Sequence, residues 1–343
     1  MTDIIENAIR RNAAFVCYRK PGRSVVHCFL SGFPVPAGSM PDGEGFLIMP
    51  FVKGGDGFFF PYDKQSYRRY KQETAALQDP DNTVSPCMEN NGEGHIELVG
   101  KGISYIRENK VRKLVLAHRF RLPVPNIDYS TAFEGLCHRY PQAFAYIFSI
   151  PGKGIWMGAS PELLLQTSGN HFRTVALAGT ATGTTPVWSG KEYREHDWVV
   201  QHIREVLSSY TVKLHFAEAE NIRAGHLWHL QTPVTGTLKK GTAVWEILQN
   251  LHPTPAVCGT PADKAFDFIV ENERFPREFY TGFLGEWHMQ GTTELYVNLR
   301  CMKWNSGYAD VYAGGGITAD SNPHSEWNEV CKKAEVMTRV LRM

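Results

Sequence analysis

The chain has 343 residues, of which 43% are hydrophobic and 21% are charged, and its formal net charge is +1. This composition is typical of a globular protein that is long enough to bury a large core. The balanced charge argues against a nucleic-acid or anionic-membrane partner, and no apolar run reaches the roughly 18 residues that span a bilayer. The first residues lack the order of a signal peptide, in which basic residues precede an apolar segment. We therefore expect a cytoplasmic protein with no nucleic-acid or membrane partner.

Seven cysteines occur singly along the chain, and none forms a CxxC pair. An odd number argues against a complete disulfide framework. We therefore expect free thiols in a reducing compartment. The cysteines are Cys17, Cys28, Cys87, Cys137, Cys258, Cys301 and Cys331.

The N-terminal part is predicted to begin with a helix over residues 3–18 and to continue with short strands and turns over 24–62. Residues 64–95 are polar and rich in turn formers, which is typical of a surface connection. Further helices are predicted over residues 94–110, 131–139 and 190–209. Further strands are predicted over residues 112–122, 143–150 and 154–166. Strands and helices do not alternate regularly, so we predict an α+β fold with large, mainly antiparallel sheets. Without an internal boundary, residues 1–343 are predicted to form a single domain.

Near the C-terminus, the segment "ADVYAGGGI" predicts a strand that ends in Gly314, Gly315 and Gly316. The glycine run lacks the GK[ST] ending of a phosphate-binding loop. Glycines in a strand permit the close approach of another backbone or of a ligand. Ser321 to Pro323 predict a turn, and a helix is expected to begin near Pro323.

Two predicted helices each present acidic residues on one face. Glu326, Glu329 and Lys333 are spaced i, i+3 and i+7, and Glu192 and Glu195 are spaced i, i+3 on the helix at 190–209. The combination of Glu195, Glu326 and Glu329 would make an oxygen-only site that suits Mg²⁺. The alternative is a solvated helix face, with Glu195 as a first-turn acid favoured by the helix dipole. Spacing alone leaves both interpretations open.

Lys113 begins an apolar strand, and alternation places it on the same face as Val115 and Ala117. A lysine that faces a covered interior loses its charge more easily, and a neutral amine can act as a general base. A lysine at a strand start that points to solvent is the other interpretation. These residues alone do not choose between the two.

Nine segments together resemble the chorismate-utilising enzyme family, and within it the isochorismate synthases of the menaquinone pathway. They occur in the family's order over residues 95–340, whereas residues 1–90 form a divergent N-terminal part. The segments are "KLVLAHRF", "GASPELLLQ", "VALAGTATG", "EHDWVVQ", "LWHLQTPVTG", "LHPTPAVCGTP", "REFYTGFLGEW", "YVNLRCMKW" and "VYAGGGITADSNPHSEWNEVCKKAE".

The resemblance implies two mainly antiparallel sheets layered together with helices packed outside. It implies an Mg²⁺ ion on Glu195, Glu326 and Glu329, and chorismate as the small-molecule substrate. Lys113 would activate water at ring C2, and Glu162 would protonate the departing C4 hydroxyl. The implied substrate-binding residues are Gly179, Thr180, His229, Tyr280, Arg300, Gly314, Gly315, Gly316 and Lys333.

The residue types within these motifs favour water as the nucleophile. Relatives that use ammonia usually carry Gln at the position of Lys113, and the aminodeoxychorismate enzymes carry Lys at that of Ala178. We therefore expect an isochorismate synthase of menaquinone or siderophore biosynthesis, as a monomer or weak homodimer. A salicylate synthase, which goes on to eliminate pyruvate, is the first alternative. A relative that binds chorismate without turnover is the second, and the presence of all four groups Lys113, Glu162, Glu195 and Glu329 argues against it.

Overall fold

The computed structural model describes residues 1–36, 39–72, 92–124, 127–181, 183–224 and 227–342. The N-terminal third contains α1 (Thr2–Arg10), β1 (Phe15–Arg19), β2 (Val25–Phe29), β3 (Phe33–Val35), β4 (Gly45–Met49), β5 (Gly57–Pro61), β6 (Tyr67–Lys71) and α2 (Glu93–Asn109). The middle contains β7 (Lys113–Pro123), α3 (Tyr129–Arg139), β8 (Phe144–Ile150), β9 (Gly154–Ser160), β10 (Leu163–Ser168), β11 (His171–Ala181), α4 (Gly190–Ser208), β12 (Thr211–Phe216), β13 (Glu220–Ala224) and β14 (Leu227–Leu238). The remainder contains α5 (Val244–Leu251), β15 (Gly259–Thr260), α6 (Ala262–Asn272), β16 (Phe283–Met289), β17 (Thr292–Val297), β18 (Cys301–Asn305), β19 (Tyr308–Ile317) and α7 (Pro323–Thr338).

These strands form two antiparallel sheets. The first sheet has nine strands in the order β15-β7-β19-β18-β9-β8-β1-β2-β6. The second has ten, in the order β12-β14-β11-β10-β17-β16-β4-β5-β3, with β13 paired to β14. The N-terminal strands therefore extend both sheets, which supports the proposal that residues 1–343 make one domain.

Aromatic side chains fill the layer between the two sheets. Phe144 of the first sheet stacks on Tyr296 of the second with ring centroids 4.4 Å apart, and Tyr18 meets Phe46 across the same layer at 4.7 Å. The outer faces are covered by helices, with α1, α3 and α7 on the first sheet and α4 and α5 on the second. The structure thus has the predicted α+β architecture of two layered sheets with helices outside. None of the helices in the described ranges is long and apolar enough to cross a membrane.

The predicted positions of the elements between residues 94 and 209 agree with the structure, but two N-terminal predictions are wrong. The first helix ends at Arg10, and Phe15–Arg19 is instead a fully buried strand. A short strand buried on both faces has a continuous apolar sequence, which periodicity does not distinguish from a helix. The predicted connection at 64–95 contains the edge strand β6, and residues 73–91 lie outside the described part.

The expectation of free thiols is wrong for Cys17, Cys28 and Cys331, each of which is disulfide-bonded. Cys17 and Cys28 stand directly opposite each other on β1 and β2, and they form a disulfide. Their pairing follows from the register of two neighbouring strands, which cysteine spacing alone does not reveal. Cys137, Cys258 and Cys301 are free and buried.

Candidate active site

One cleft collects nearly all of the predicted site residues from both sheets and from α4 and α7. Gly315 and Glu326 are not part of its lining, because they lie behind it at the contact between β19 and α7. The predicted residues that line the cleft are Lys113, Glu162, Gly179, Thr180, Glu195, His229, Tyr280, Arg300, Gly314, Gly316, Glu329 and Lys333.

The three glycines of β19 make room for different neighbours. A methyl group on Gly316 would stand 2.5 Å from Glu195 Oε2 and 2.8 Å from Lys113 Cε, which no side chain tolerates without displacing them. A methyl group on Gly314 would stand 3.0 Å from the carbonyl oxygen of Leu116. Gly315 faces α7 rather than the cleft, because side chains alternate along a strand, and its contact with the substrate stays a prediction.

Two helix starts position the acidic residues. In α4, Ser189 and Glu192 form a capping box, in which the Glu192 carboxylate accepts a hydrogen bond from the Ser189 amide at 2.8 Å. Glu192 therefore serves the helix end, while Glu195 is buried one turn later. In α7, the Asn322 side chain accepts from the Ser325 amide and Pro323 occupies the first turn, as the sequence predicted.

Each of the three acids assigned to the metal is paired with a different lysine. Lys113 Nζ lies 2.8 Å from Glu195 Oε2, Lys333 Nζ lies 2.7 Å from Glu329 Oε1, and Lys191 Nζ lies 2.5 Å from Glu326 Oε1. Lys113 is 3% exposed, so its side chain does not point to solvent. Burial alone would raise the pKa of Glu329, but the ammonium groups of Lys333, Lys191 and Lys113 together more than offset this and lower it.

The surroundings of the three carboxylates fit a divalent cation. Glu326 and Glu329 approach β19 from one side at Gly315, and Glu195 approaches it at Gly316. Glu326 Oε2 is buried and accepts no hydrogen bond of ordinary geometry from the described residues. The nearby Ser321 side chain and the Lys191 ammonium each act to lower the pKa of Glu326. Burial nevertheless raises the pKa of Glu326 overall. An unsatisfied carboxylate oxygen beside two further acids matches the oxygen ligands of Mg²⁺, although the described residues contain no group of three ligands already at metal-binding geometry.

Glu162 lies in the link between β9 and β10 and is only 4% exposed. Burial raises the pKa of its carboxyl group to about 8, and the positive charges of Lys113 and Arg300 offset only part of this effect. A carboxyl group with that pKa is mostly protonated at pH 7 and can donate a proton.

His229 on β14 is held as a neutral ring. Its Nδ1 lies 2.7 Å from the Gly179 carbonyl oxygen, so Nδ1 carries the proton and donates it. Burial and the nearby Arg300 guanidinium lower the pKa of His229 to about 3. The unprotonated Nε2 therefore faces Arg300, whose Nη2 is 3.5 Å away. Gly179 has a φ of +72° at an irregularity in the β11–β14 pairing, which brings its carbonyl group towards the histidine.

Arg300 and Lys333 place two cationic groups on one side of the cleft. The Lys333 ammonium donates to the Gly314 carbonyl oxygen at 3.0 Å, and Arg300 contacts the Lys333 carbonyl oxygen at 3.4 Å. Burial lowers the pKa of Arg300. Arg300 also has a φ of +50°, an uncommon conformation for a residue with a side chain.

The sequence analysis missed Lys191 and the apolar walls of the cleft. Lys191 is four residues before Glu195, so helical spacing was the available signal. Burial alone would lower the pKa of Lys191, but Glu326 and Glu195 raise it above its usual value. The walls come from segments that the family resemblance included without assigning a role, at Leu177, Ala256, Val257, Leu299 and Tyr312.

A family model described as chorismate binding enzyme matches residues 62–342. The chain belongs to the chorismate binding enzyme family. The resemblance drawn from the sequence motifs is therefore confirmed, and the site described above lies within the matched range.

The curated relatives of this chain include isochorismate synthases from two species. Isochorismate synthase EntC of Escherichia coli is 31% identical over 257 residues, or 71% of this chain and 66% of EntC. The salicylate biosynthesis isochorismate synthase of Pseudomonas aeruginosa is 32% identical over 71% of this chain and 53% of that protein. Isochorismate synthase MenF of E. coli is 31% identical over 73% of this chain and 60% of MenF. These matches span between about half and two thirds of the relatives' lengths.

Solved structures of the family share the two-sheet fold. A putative 2,3-dihydroxybenzoate-specific isochorismate synthase, DhbC from Bacillus anthracis, matches with a TM-score of 0.82, 23% identity and full coverage of both chains. The menaquinone-specific isochorismate synthase MenF of E. coli matches with a TM-score of 0.78 and 21% identity, over 96% of this chain and 88% of that one. At these identities the likeness establishes the fold, and the predicted fold class is confirmed.

Proposed function

We propose that this protein is an isochorismate synthase that converts chorismate to isochorismate in the presence of Mg²⁺. The observation that carries the proposal is a buried Glu162 whose pKa is about 8, in the same cleft as the buried Lys113. The reaction needs one acid and one base, because hydroxide is a poor leaving group and water is a poor nucleophile. The relatives named above, which are isochorismate synthases, support the same assignment.

The cations of the cleft match the charge of the substrate. Chorismate carries two carboxylates, and charge-assisted hydrogen bonds from Arg300 and Lys333 would orient them. The neutral His229 supports Arg300 from behind without adding a further positive charge. Glu195 and Glu329, with Glu326, would hold Mg²⁺, which when bound offsets negative charge on the substrate. The apolar walls would enclose the ring, and Gly314 and Gly316 would let it approach the strand.

The chemistry assigned to the residues balances. Lys113 takes a proton from water as the water oxygen bonds to C2, which requires the amine to leave its ion pair with Glu195 and to be neutral. The ring double bonds shift, the C4–oxygen bond breaks, and Glu162 donates its proton so that the C4 hydroxyl leaves as water. The substrate gains one hydroxyl and loses one, so no oxidant or reductant is needed.

Incubation of the purified protein with chorismate and Mg²⁺ in ¹⁸O-labelled water tests this function. We expect labelled isochorismate with the hydroxyl oxygen at C2 and with the pyruvyl group still attached. Stoichiometric release of pyruvate would indicate a salicylate synthase instead, and an absence of chorismate consumption at every Mg²⁺ concentration would indicate a non-catalytic binding protein.

The variant Lys113→Gln gives a second, independent test. An amide does not accept a proton as an amine does, so we expect water addition to stop. Undiminished water addition by this variant would remove Lys113 from its assigned role.

The relatives include menaquinone-specific and 2,3-dihydroxybenzoate-specific enzymes, and we propose menaquinone or siderophore biosynthesis as the destination of the product. The cytoplasmic location and the monomeric or weakly dimeric state stay predictions.

A further inference from the structure

Lys191 is a charged side chain in the cleft to which the proposed reaction gives no role. It belongs to the first turn of α4, and its ammonium nitrogen lies 2.5 Å from Glu326 Oε1 on α7 and 3.8 Å from Glu195 Oε1 on its own helix. Its side chain is 25% exposed, so the contact with Glu326 is largely shielded from solvent. Lys191 therefore links the two helices through the acids assigned to the metal.

The other two lysines near these acids have other partners or tasks. Lys333 also donates to the Gly314 carbonyl oxygen, and Lys113 is the proposed base. Lys191 is different because its two described ion-pair partners, Glu195 and Glu326, both belong to the proposed metal site. An ammonium group at this position and a divalent cation would use the same carboxylate oxygens.

We propose that Lys191 is an internal counter-ion that competes with the divalent cation for Glu326 and Glu195, and so sets the affinity of the metal site. This inference rests on the proposed function for the assignment of the metal to these acids. Lys191 holds α4 and α7 together by neutralising carboxylates that would otherwise repel each other. The cation binds by displacing the ammonium, which can turn towards solvent because its side chain is partly exposed.

Removal of the ammonium should strengthen cation binding. Because the ammonium must leave the carboxylate oxygens before the cation binds, breaking the Lys191–Glu326 contact reduces the net affinity for the cation. We expect the variant Lys191→Gln to bind Mn²⁺ about tenfold or more tightly than the wild type. Lys191→Arg keeps the positive charge and should return the affinity close to the wild-type value.

The experiment is a titration of the substrate-free protein with Mn²⁺ at pH 8, with free Mn²⁺ measured by electron paramagnetic resonance. The matched control is Lys101→Gln, which removes a lysine from an exposed i, i+4 pair with Glu97, and neither residue lines the cleft. The control should bind Mn²⁺ as the wild type does. Thermal unfolding in EDTA and in saturating Mn²⁺ provides a second readout, and the gain in melting temperature on adding Mn²⁺ should be larger for Lys191→Gln.

Three outcomes would overturn the inference. Unchanged or weaker Mn²⁺ binding by Lys191→Gln would show that the ammonium does not compete. A higher KM for chorismate with unchanged Mn²⁺ affinity would make Lys191 a substrate contact. Wild-type protein that binds no Mn²⁺ would overturn both this inference and the metal assignment of the proposed function, whereas the first two outcomes leave that function intact. If Lys191→Gln folds only with Mn²⁺ present, the counter-ion role is supported.

Discussion

At the scale of single residues, the protonation of Glu162 is the property most closely tied to the proposed chemistry. The substitution Glu162→Gln keeps the size of the side chain but removes its acidic proton. We expect kcat to fall by roughly 10²–10⁴-fold, the usual contribution of a general acid. Chorismate binding, measured by calorimetry, should change little. A change confined to KM would instead give Glu162 a role in binding.

The pH dependence of the wild-type enzyme follows from the same carboxyl group. Burial raises the pKa of Glu162 from 4.5 to about 8, so the donor form is present below pH 8 and is lost as the pH rises through that value. We expect kcat/KM to decrease on the alkaline side of about pH 8. The same carboxyl group also affects stability. Between pH 4.5 and 8 it stays protonated in the folded state but is ionised in the unfolded state, so the free energy of unfolding decreases as the pH rises through this window. A flat kcat/KM profile from pH 7 to 9.5 would contradict the assignment.

Gly315 and Gly316 allow a matched comparison of two neighbouring positions. Gly316→Ala would push a methyl group against Glu195 and Lys113, whereas Gly315→Ala makes only ordinary contacts at 3.5 Å or more. We expect Gly316→Ala to lose most of its activity and Gly315→Ala to keep it, with both proteins folded by circular dichroism. Equal activities of the two variants would show that the crowding at Gly316 is unimportant.

At the scale of elements, the first two turns of α4 and α7 carry acids with different tasks: Glu192 caps a helix, whereas Glu195 and Glu329 are assigned to the metal. Glu195→Gln or Glu329→Gln should abolish Mg²⁺-dependent turnover while the fold remains intact, because each removes a carboxylate from the proposed metal site. The control is Glu192→Gln, one turn before Glu195 on α4. Glu192 belongs to the capping box, in which a glutamine also serves, so its substitution should change stability little and leave the dependence on Mg²⁺ unchanged. The prediction fails if Glu195→Gln or Glu329→Gln keeps near-wild-type activity at limiting Mg²⁺.

At the scale of the whole molecule, one buried ion pair joins the chain segments around the cleft. The Arg277 guanidinium contacts Glu273 at 2.5 Å and donates to the carbonyl oxygens of Val115 and Val257, and Glu273 accepts from the Ala117 amide. Both side chains are at most 2% exposed. The pair thereby connects β7, which carries Lys113, with the loop at Val257.

Removal of one partner should leave the other charge buried without compensation. We expect Arg277→Leu to reduce the free energy of unfolding by roughly 3–5 kcal/mol, measured by urea denaturation. The double variant with Glu273→Leu should recover part of that loss, because it removes the unpaired carboxylate as well. A loss below 1 kcal/mol for Arg277→Leu would show that water or another group replaces the pair.

The sequence by itself determined the elements with strong local patterns and the chemistry-bearing residues of the recognised motifs. The helices α2 and α4, the strand β7 and the glycine strand β19 follow from local patterns. The roles proposed for Lys113, Glu162 and the three acids follow from the family motifs. These features depend on residues that are close in the chain or on patterns shared with a family, so no knowledge of packing is needed to find them.

Only the tertiary structure decided the properties that arise between distant segments. The Cys17–Cys28 disulfide depends on strand register, and the strand at Phe15–Arg19 depends on burial by both neighbouring strands and the opposite sheet. The pKa of Glu162 depends on packing around the link from β9 to β10, and the pairing of Lys191 with Glu326 joins residues that are 135 positions apart. Burial and charge compensation are set by whichever segments the fold brings together, and one-dimensional spacing carries no information about that choice.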